Sequence, residues 1–439
     1  MSADAKKIAS PLDRYKAAFD ARWQGDDELT ALRRAALDQF LSTGFPTQRD
    51  EAWKYTNLRR LETRSFTPAD ASALDAHQPD WLTTSGTRIV LVNGHWLPAL
   101  SSQTAQPPGV TVLTLKQWLQ HEPAEVATYF KEHDQLGGNA LEQLNLAFFE
   151  DGVVVNLADN VVVDAPIYIV HQSTSAAAGR MSHPRIMIRA GRNSRATIIE
   201  HYLGANEAEY FTNSVTRFDI AAAGAITHYR GQQEAPRAFH IGHIQTKLAK
   251  DARYSIHDVQ LGASLGRTGV TALLEGSGAH AALFGLFAPM GNQHLDVHTR
   301  LDHIAPHTTS EEDYRGIAGG RGRGVFNGKI IVRPDAQKID SRQSSRNLLL
   351  STTAEIDTKP ELEIYANDVK CSHGATTGQL DATALFYLRS RGLSESDARA
   401  ALIRAFAESI LSTIDLEPVR TALEKQIDIR FELANEAKA

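Results

Sequence analysis

A single cysteine, Cys371, serves a chain of 439 residues. That scarcity excludes an internal disulfide and any CxxC pair, and it denies this chain a four-thiolate cluster of its own. Long apolar runs are missing too: no window approaches eighteen uninterrupted apolar residues, which excludes a conventional membrane-spanning helix. There is no Lys/Arg tract, and the net charge of −6 is spread in both signs along the chain, so nothing points to a nucleic-acid surface. The opening MSADAKKIASPLDRY has neither the apolar stretch of a signal peptide nor the arginine-rich character of a transit peptide. These absences together predict a soluble cytoplasmic protein. HExxH is absent as well. The glycine-rich GGRGRGVFNGKI from Gly319 fails as a phosphate loop, because Arg323 stands where its first glycine belongs and Ile330 where a metal-binding hydroxyl is required. A strand-like IIVRP follows it, so no helix amino terminus faces the loop. A glycine turn between strands is the expected outcome.

What is present divides the chain by texture. Its length suggests two or three units. DDELTALRRAALDQFLSTG from Asp26 places Leu29, Leu32, Ala36, Leu37 and Phe40 at helical spacing, with acidic residues at its start and Gly44 and Pro46 as a stop. RIVLVNGHWLP reads as a hairpin around Asn93-Gly94. From Gly152 to about residue 380 the chain is a succession of short β-type runs. Small residues recur at Ala196, Ala225, Ala252 and Ala279, about 27–29 residues apart. That period suggests stacked coils of a solenoid, with a large β-sandwich as the alternative. The carboxy end returns to helix: Ser394 is a cap, and DARAALIRAFAESILSTI carries an apolar arc wider than one stripe. The arc fits either a helix wedged between the solenoid and the helix that follows or one that docks another subunit. The predicted fold is therefore mainly β, a β-solenoid core with helical ends. Its divisions are a helical region at 1–85, a mixed α/β connection at 86–150, the core at 151–382 and a helical domain at 383–439.

Two constellations bear on chemistry. His294, His298, His303 and His307 fall within one strand-and-turn segment. Alternation puts the first two on one side and the last two on the other, so surface or coil-edge histidines are expected rather than a metal site. Cys371 and His373, by contrast, share a face of an extended segment, with Cα atoms ~6.5 Å apart. A thiolate with an imidazole suits iron or zinc, and two ligands leave the coordination shell unfinished. The pair is either a buried cysteine beside an incidental histidine or part of a site completed by something else.

The run from Glu355, EIDTKPELEIYANDVKCSHGATTGQLDATALFYLRSRG, resembles the SufB/SufD family of iron–sulfur cluster assembly proteins. GFPTQRDEAWKYTNL, VFNGKIIV and SSRNLLLSTTAEIDTKP extend the likeness over nearly the whole chain, and the lone cysteine favours the SufD branch. The resemblance implies a right-handed parallel β-helix and no catalytic residues. It implies a scaffold that pairs with SufB and, through its carboxy-terminal helices, holds the ATPase SufC, which would hydrolyse ATP; a homodimer is implied for the isolated chain. It further implies that Cys371 and His373 are binding and metal residues for transient iron or a nascent cluster shared with SufB, with no cofactor held permanently. The alternatives are an inert adaptor of the same complex and an autonomous polysaccharide-active β-helix enzyme.

Overall fold

The computed structural model describes residues 11–71, 75–76, 86–102, 106–134, 139–205 and 207–436, so the amino-terminal stretch at 1–10 and the end of the 1–85 region lie outside the described residues. The chain is mainly β, and its core is a β-solenoid of about 8 turns with helical regions at both ends. Each coil contributes one strand to each of two facing parallel sheets. The first sheet runs from Val110–Thr114 through Gly152–Leu157 and Arg185–Ala190 to Arg323–Val332 and Glu355–Ile364. The second runs from Thr87–Val92 through Ile167–Ser173 and Arg195–Gly204 to Ile339–Leu349 and Val369–Gln379. The expected hairpin is present, Thr87–Val92 pairing antiparallel with His95–Trp96.

The coil length comes from the register. Arg195, Ala225, Arg253, His280, Thr309, Asp340 and Lys370 are successive partners, so a coil takes 27–31 residues. Two positions before six of these seven partners stands a residue with positive φ: Asn193, Ala223, Asp251, Gly278, His307 and Lys338. That left-handed corner turns the chain into each new strand, and Asn, Asp, His and Gly tolerate it best. Ala252 and Ala279 occupy equivalent places, whereas Ala225 pairs with Arg195 rather than with Ala196. The alanine period therefore marks the coil with a slip of one residue at each of its first two steps.

Three cores result. Inward-facing Ile, Val, Leu, Ala and Phe from both sheets fill the solenoid, among them Ile198, Phe218, Leu283 and Phe326. The amino-terminal helices pack Tyr15, Phe19, Phe40 and Trp53 against the outer face of the first sheet at Met187, Phe211 and Phe239. The expected helix is Glu28–Thr43, capped by Asp27 and stopped at Gly44, whose φ of 72° suits glycine. The carboxy-terminal helices Glu395–Leu411 and Glu417–Glu436 cover the outer face of the second sheet. Ile403, Ala407, Ile410 and Leu411 meet Tyr229, Val259 and Leu286 there, so this helix is wedged against the solenoid. Ser394 caps it as expected, accepting from Asp397 N at 3.1 Å.

The solenoid interior is not apolar throughout. Arg230 and Asp258, side by side in the register, are paired at 2.7 Å with no exposure to solvent beyond a few per cent. Against the upward push of burial, His228, His171 and Arg230 hold the Glu200 carboxyl down at about 2. The alternating pattern of ITHYRGQQ and RYSIHDVQ already sends these polar side chains inward; strand alternation alone does not say that they find partners there.

Candidate functional site

Val369–Gln379 is the last strand of the second sheet and pairs on one side only, with Ile339–Leu349. Glu355–Ile364 ends the first sheet in the same way. The two strands leave this end of the solenoid open, with their side chains half-buried or exposed. The opposite end is closed by antiparallel strands, His95–Trp96 on one sheet and Val110–Thr114 on the other.

Cys371 and His373 stand on this open end. On the preceding strand Ile339, Ser341, Gln343, Ser345 and Asn347 are buried and alternate with exposed Arg342 and Arg346. Cys371 is in register with Ser341, and His373 with Gln343. Both members of the pair therefore face the axis of the solenoid, where no further coil covers them. Cys371 is half-buried against the interior cluster. Burial, and then the Asp340 carboxylate, push its thiol upward, so it is protonated at neutral pH. His373 is exposed.

Beneath the pair lie two polar columns. Under Cys371, the Ser341 hydroxyl is 2.7 Å from that of Ser310, which is 3.0 Å from His303 Nε2; His303 Nδ1 is 2.7 Å from the Thr308 hydroxyl. Under His373, Gln343 Nε2 donates to Glu312 Oε2 at 2.6 Å. Gln343 Oε1 is buried without a partner, and the Thr299 hydroxyl lies beside the Glu312 carboxyl. Gly328 on the facing sheet makes room for this amide, since a Cβ there would lie 2.2 Å from Gln343 Nε2. Burial pushes Glu312 up to about 7. The sequence reading missed Gln343 and Glu312; their signal is that each sits one coil from the next in the row that ends at His373.

The four histidines part company as alternation predicts for three of them. His294 and His298 project from the outer face of the first sheet on either side of Asp296, with His298 Nε2 3.0 Å from Asp296 Oδ1. His307 occupies a left-handed corner. His303 departs from the expectation of a surface or edge position: it is fully buried and turned inward onto Thr308 and Ser310. GGRGRG forms the turn into the strand Arg323–Val332 and presents no helix. Among the described residues, no three His, Cys, Asp or Glu side chains converge as a metal site. Cys371 and His373 supply one soft and one borderline donor, and any iron held there needs ligands from outside the described residues.

A second constellation escaped the sequence reading. Asp296 is fully buried and accepts from Arg267 and from Thr56 of the amino-terminal segment. Trp53 covers Arg267, the guanidinium carbon 3.8 Å from the ring centre. The GFPTQRDEAWKYTNL segment thus lies over the first sheet and seals a buried ion pair.

Comparison with known proteins agrees with this architecture. Residues 171–406 match the family described as SUF system FeS cluster assembly, SufBD core domain, and residues 16–169 match the SufBD protein N-terminal region. The chain is 33% identical to the iron–sulfur cluster assembly protein SufD of Escherichia coli K12, over 90% of this chain and 91% of that one. It is 32% identical to an iron–sulfur cluster assembly SufBD family protein of Synechocystis, over 92% of each. An Arabidopsis thaliana relative named protein ABCI7, chloroplastic, is 26% identical over 89% of this chain and 84% of its own.

Proposed function

The chain belongs to the SufBD family of iron–sulfur cluster assembly proteins, and on that premise we propose that it is a non-catalytic scaffold subunit whose open solenoid end pairs with SufB. One observation carries this reading: the end that lacks a covering coil is the end that bears Cys371 and His373. Two edge strands with unpaired backbone groups are a template for strands from another chain, and a homologous solenoid would continue both sheets. The thiol and imidazole would then lie at the seam, where SufB supplies the remaining donors. Iron or a nascent cluster is cargo in this scheme, held transiently.

The two side chains differ in readiness. His373 is exposed, so its ring nitrogens are open to an incoming ion. Cys371 must shed a proton that burial and Asp340 favour. His373 is therefore the first ligand and Cys371 the second. The carboxy-terminal helices, packed on the second sheet, would carry the ATPase SufC on their remaining exposed side chains. Closure of two ATPase subunits would act on these helices and turn the rigid solenoids against each other, opening the seam. The cytoplasm is the proposed compartment; among the described residues, no helix is long and apolar enough to cross a membrane.

The test is His373→Ala within the co-expressed complex. Cluster yield should fall while the complex stays intact by size-exclusion chromatography, because the side chain is exposed and makes no packing contribution to the fold. Cys371→Ser should reduce yield less. Undiminished yield from both variants would leave an inert adaptor.

A further inference from the structure

The outer face of the first sheet carries a groove that the cluster-assembly reading does not use. One part, about 390 Å³, is lined by His243, Gly269 and His298 and by the carboxylates Glu51 and Glu361; another, about 320 Å³, is lined by Arg217 and Lys247 and by the carboxylates Asp219, Glu275 and Asp302. Both are bordered by Glu142, Gln245, Thr271 and Arg300, so the two parts are continuous. Arg217, Gln245, Thr271 and Arg300 are partners on four adjacent strands and share the outward face. His243 lies two residues before Gln245 and points the same way.

Several buried hydrogen-bonding groups along this groove have no partner. His243 is 7% exposed and Arg217 6%. The Asn139 amide nitrogen is 3.2 Å from Glu142 Oε1 and 3.4 Å from His243 Nδ1, and its two hydrogens serve both. Nδ1 is then the acceptor and Nε2 carries the proton, yet Nε2 is buried with no partner. Desolvation holds this imidazole down at about 4, so it is neutral and keeps that tautomer at neutral pH. Nε and Nη1 of Arg217 are likewise buried without an acceptor. Glu142 accepts from Asn139 on one oxygen and from Gln245 Nε2, at 2.6 Å, on the other, and it is not the partner of Arg217 Nε or Nη1. The unfilled acceptor is Gln245 Oε1.

Buried donors without acceptors are costly unless something supplies them. We infer that this groove binds a small hydroxylated organic oxyanion, its anionic oxygens taken by Arg217 and by His243 Nε2, and its hydroxyl donating to Gln245 Oε1. A carboxylate and a phosphate ester share this chemistry. Gly269 lies between His243 and His298 in the register, and its missing side chain is part of the groove. A Cβ there would meet nothing closer than 3.8 Å, so a side chain can be added without straining the sheet.

The experiment is isothermal titration calorimetry of the full-length chain with glycerol 3-phosphate, malate and inorganic phosphate as separate probes. Glycerol 3-phosphate or malate should bind in the millimolar range or tighter, and phosphate, which cannot span the groove, at least tenfold more weakly. The better of the two organic probes names the ligand class. Arg217→Gln should weaken that probe at least tenfold. Gly269→Val, which fills the space and leaves every donor in place, should do the same with an unchanged melting temperature, guarding against a variant that fails to fold. Absence of heat from all three probes at 10 mM, or equal affinity in the parent and Gly269→Val, overturns the inference.

Discussion

Glu312 shows how one residue near the open end couples charge to stability. An exposed glutamate titrates near 4.5, whereas burial raises this one to about 7. Between those values the folded chain holds more protons than the unfolded one. The contribution of this group is therefore fully present below pH 4.5 and gone above about pH 7, a loss of about 3 kcal/mol by linkage. Glu312→Gln removes the titration and keeps an acceptor for the Gln343 amide. Denaturant midpoints for parent and variant should nearly coincide at pH 5, with the variant the more stable at pH 8. An equal difference at both pH values would show that Glu312 is not the titrating group. Sequence made half of this legible. Period two places Cys371 and His373 on one face of a strand, but it is silent on which face looks inward. Only the register with Ser341 and Gln343 decides that, and it depends on a coil thirty residues away. Glu312 went unnoticed for the same reason, since an acidic residue in EEDYRG reads as a solvated position until its partner coil is known.

At the scale of elements, the amino-terminal segment and the solenoid hold each other through one buried carboxylate. Asp296 is held far below the ordinary aspartate range, because Arg267 and the neighbouring histidines outweigh the upward push of burial. Lys359, one of the outward side chains of the final strand of that sheet, reaches Glu51 at 2.8 Å and ties the same segment two coils further on. Asp296→Ala leaves the Arg267 guanidinium buried with only the Trp53 face beside it. Loss of about 3–5 kcal/mol follows from an uncompensated buried charge, and the segment around Thr47–Thr56 should become open to limited proteolysis. Thr56→Val, which removes the hydroxyl's hydrogen bonds to Asp296 and His294 and leaves the ion pair, should cost about 1–3 kcal/mol. If both variants resist protease as the parent does, the clasp is not what holds the segment. Helix Glu28–Thr43 was legible because its stripe, cap and stop are local. The clasp was not, because Thr56 and Asp296 are 240 residues apart and neither carries a local signature. The coil period was visible only through alanines that slip by a residue; the stricter mark is the left-handed corner, which residue identity permits but does not announce.

The whole molecule is a column with one finished end and one unfinished end. Antiparallel strands close the first coils, and helices cover the outer faces of both sheets. At the other end Val369–Gln379 and Glu355–Ile364 have neighbours on one side only, and the helix that follows, Ala382–Ser390, buries none of its residues and leaves Phe386 73% exposed. An exposed pair of edge strands is a hazard that soluble chains ordinarily blunt or cover. Here it coincides with Cys371 and His373, so under the proposed pairing the interface and the two donor side chains form one feature. Ala375 tests that unity. It is exposed and shares the inward face with His373 two residues earlier, so a further coil from a partner would rest directly upon it. In Ala375→Asp the carboxylate meets water in the isolated chain and should shift stability by no more than about 0.5 kcal/mol. In a continued solenoid the same carboxylate is buried without a counter-charge, which a stacked interface does not tolerate. Co-expressed with SufB and SufC, the variant should elute apart from SufB in size-exclusion chromatography with light scattering, while its own melting curve matches the parent. Retention of a full-size complex by Ala375→Asp would place the partner elsewhere on the column, and Cys371 and His373 would then face solvent rather than a seam.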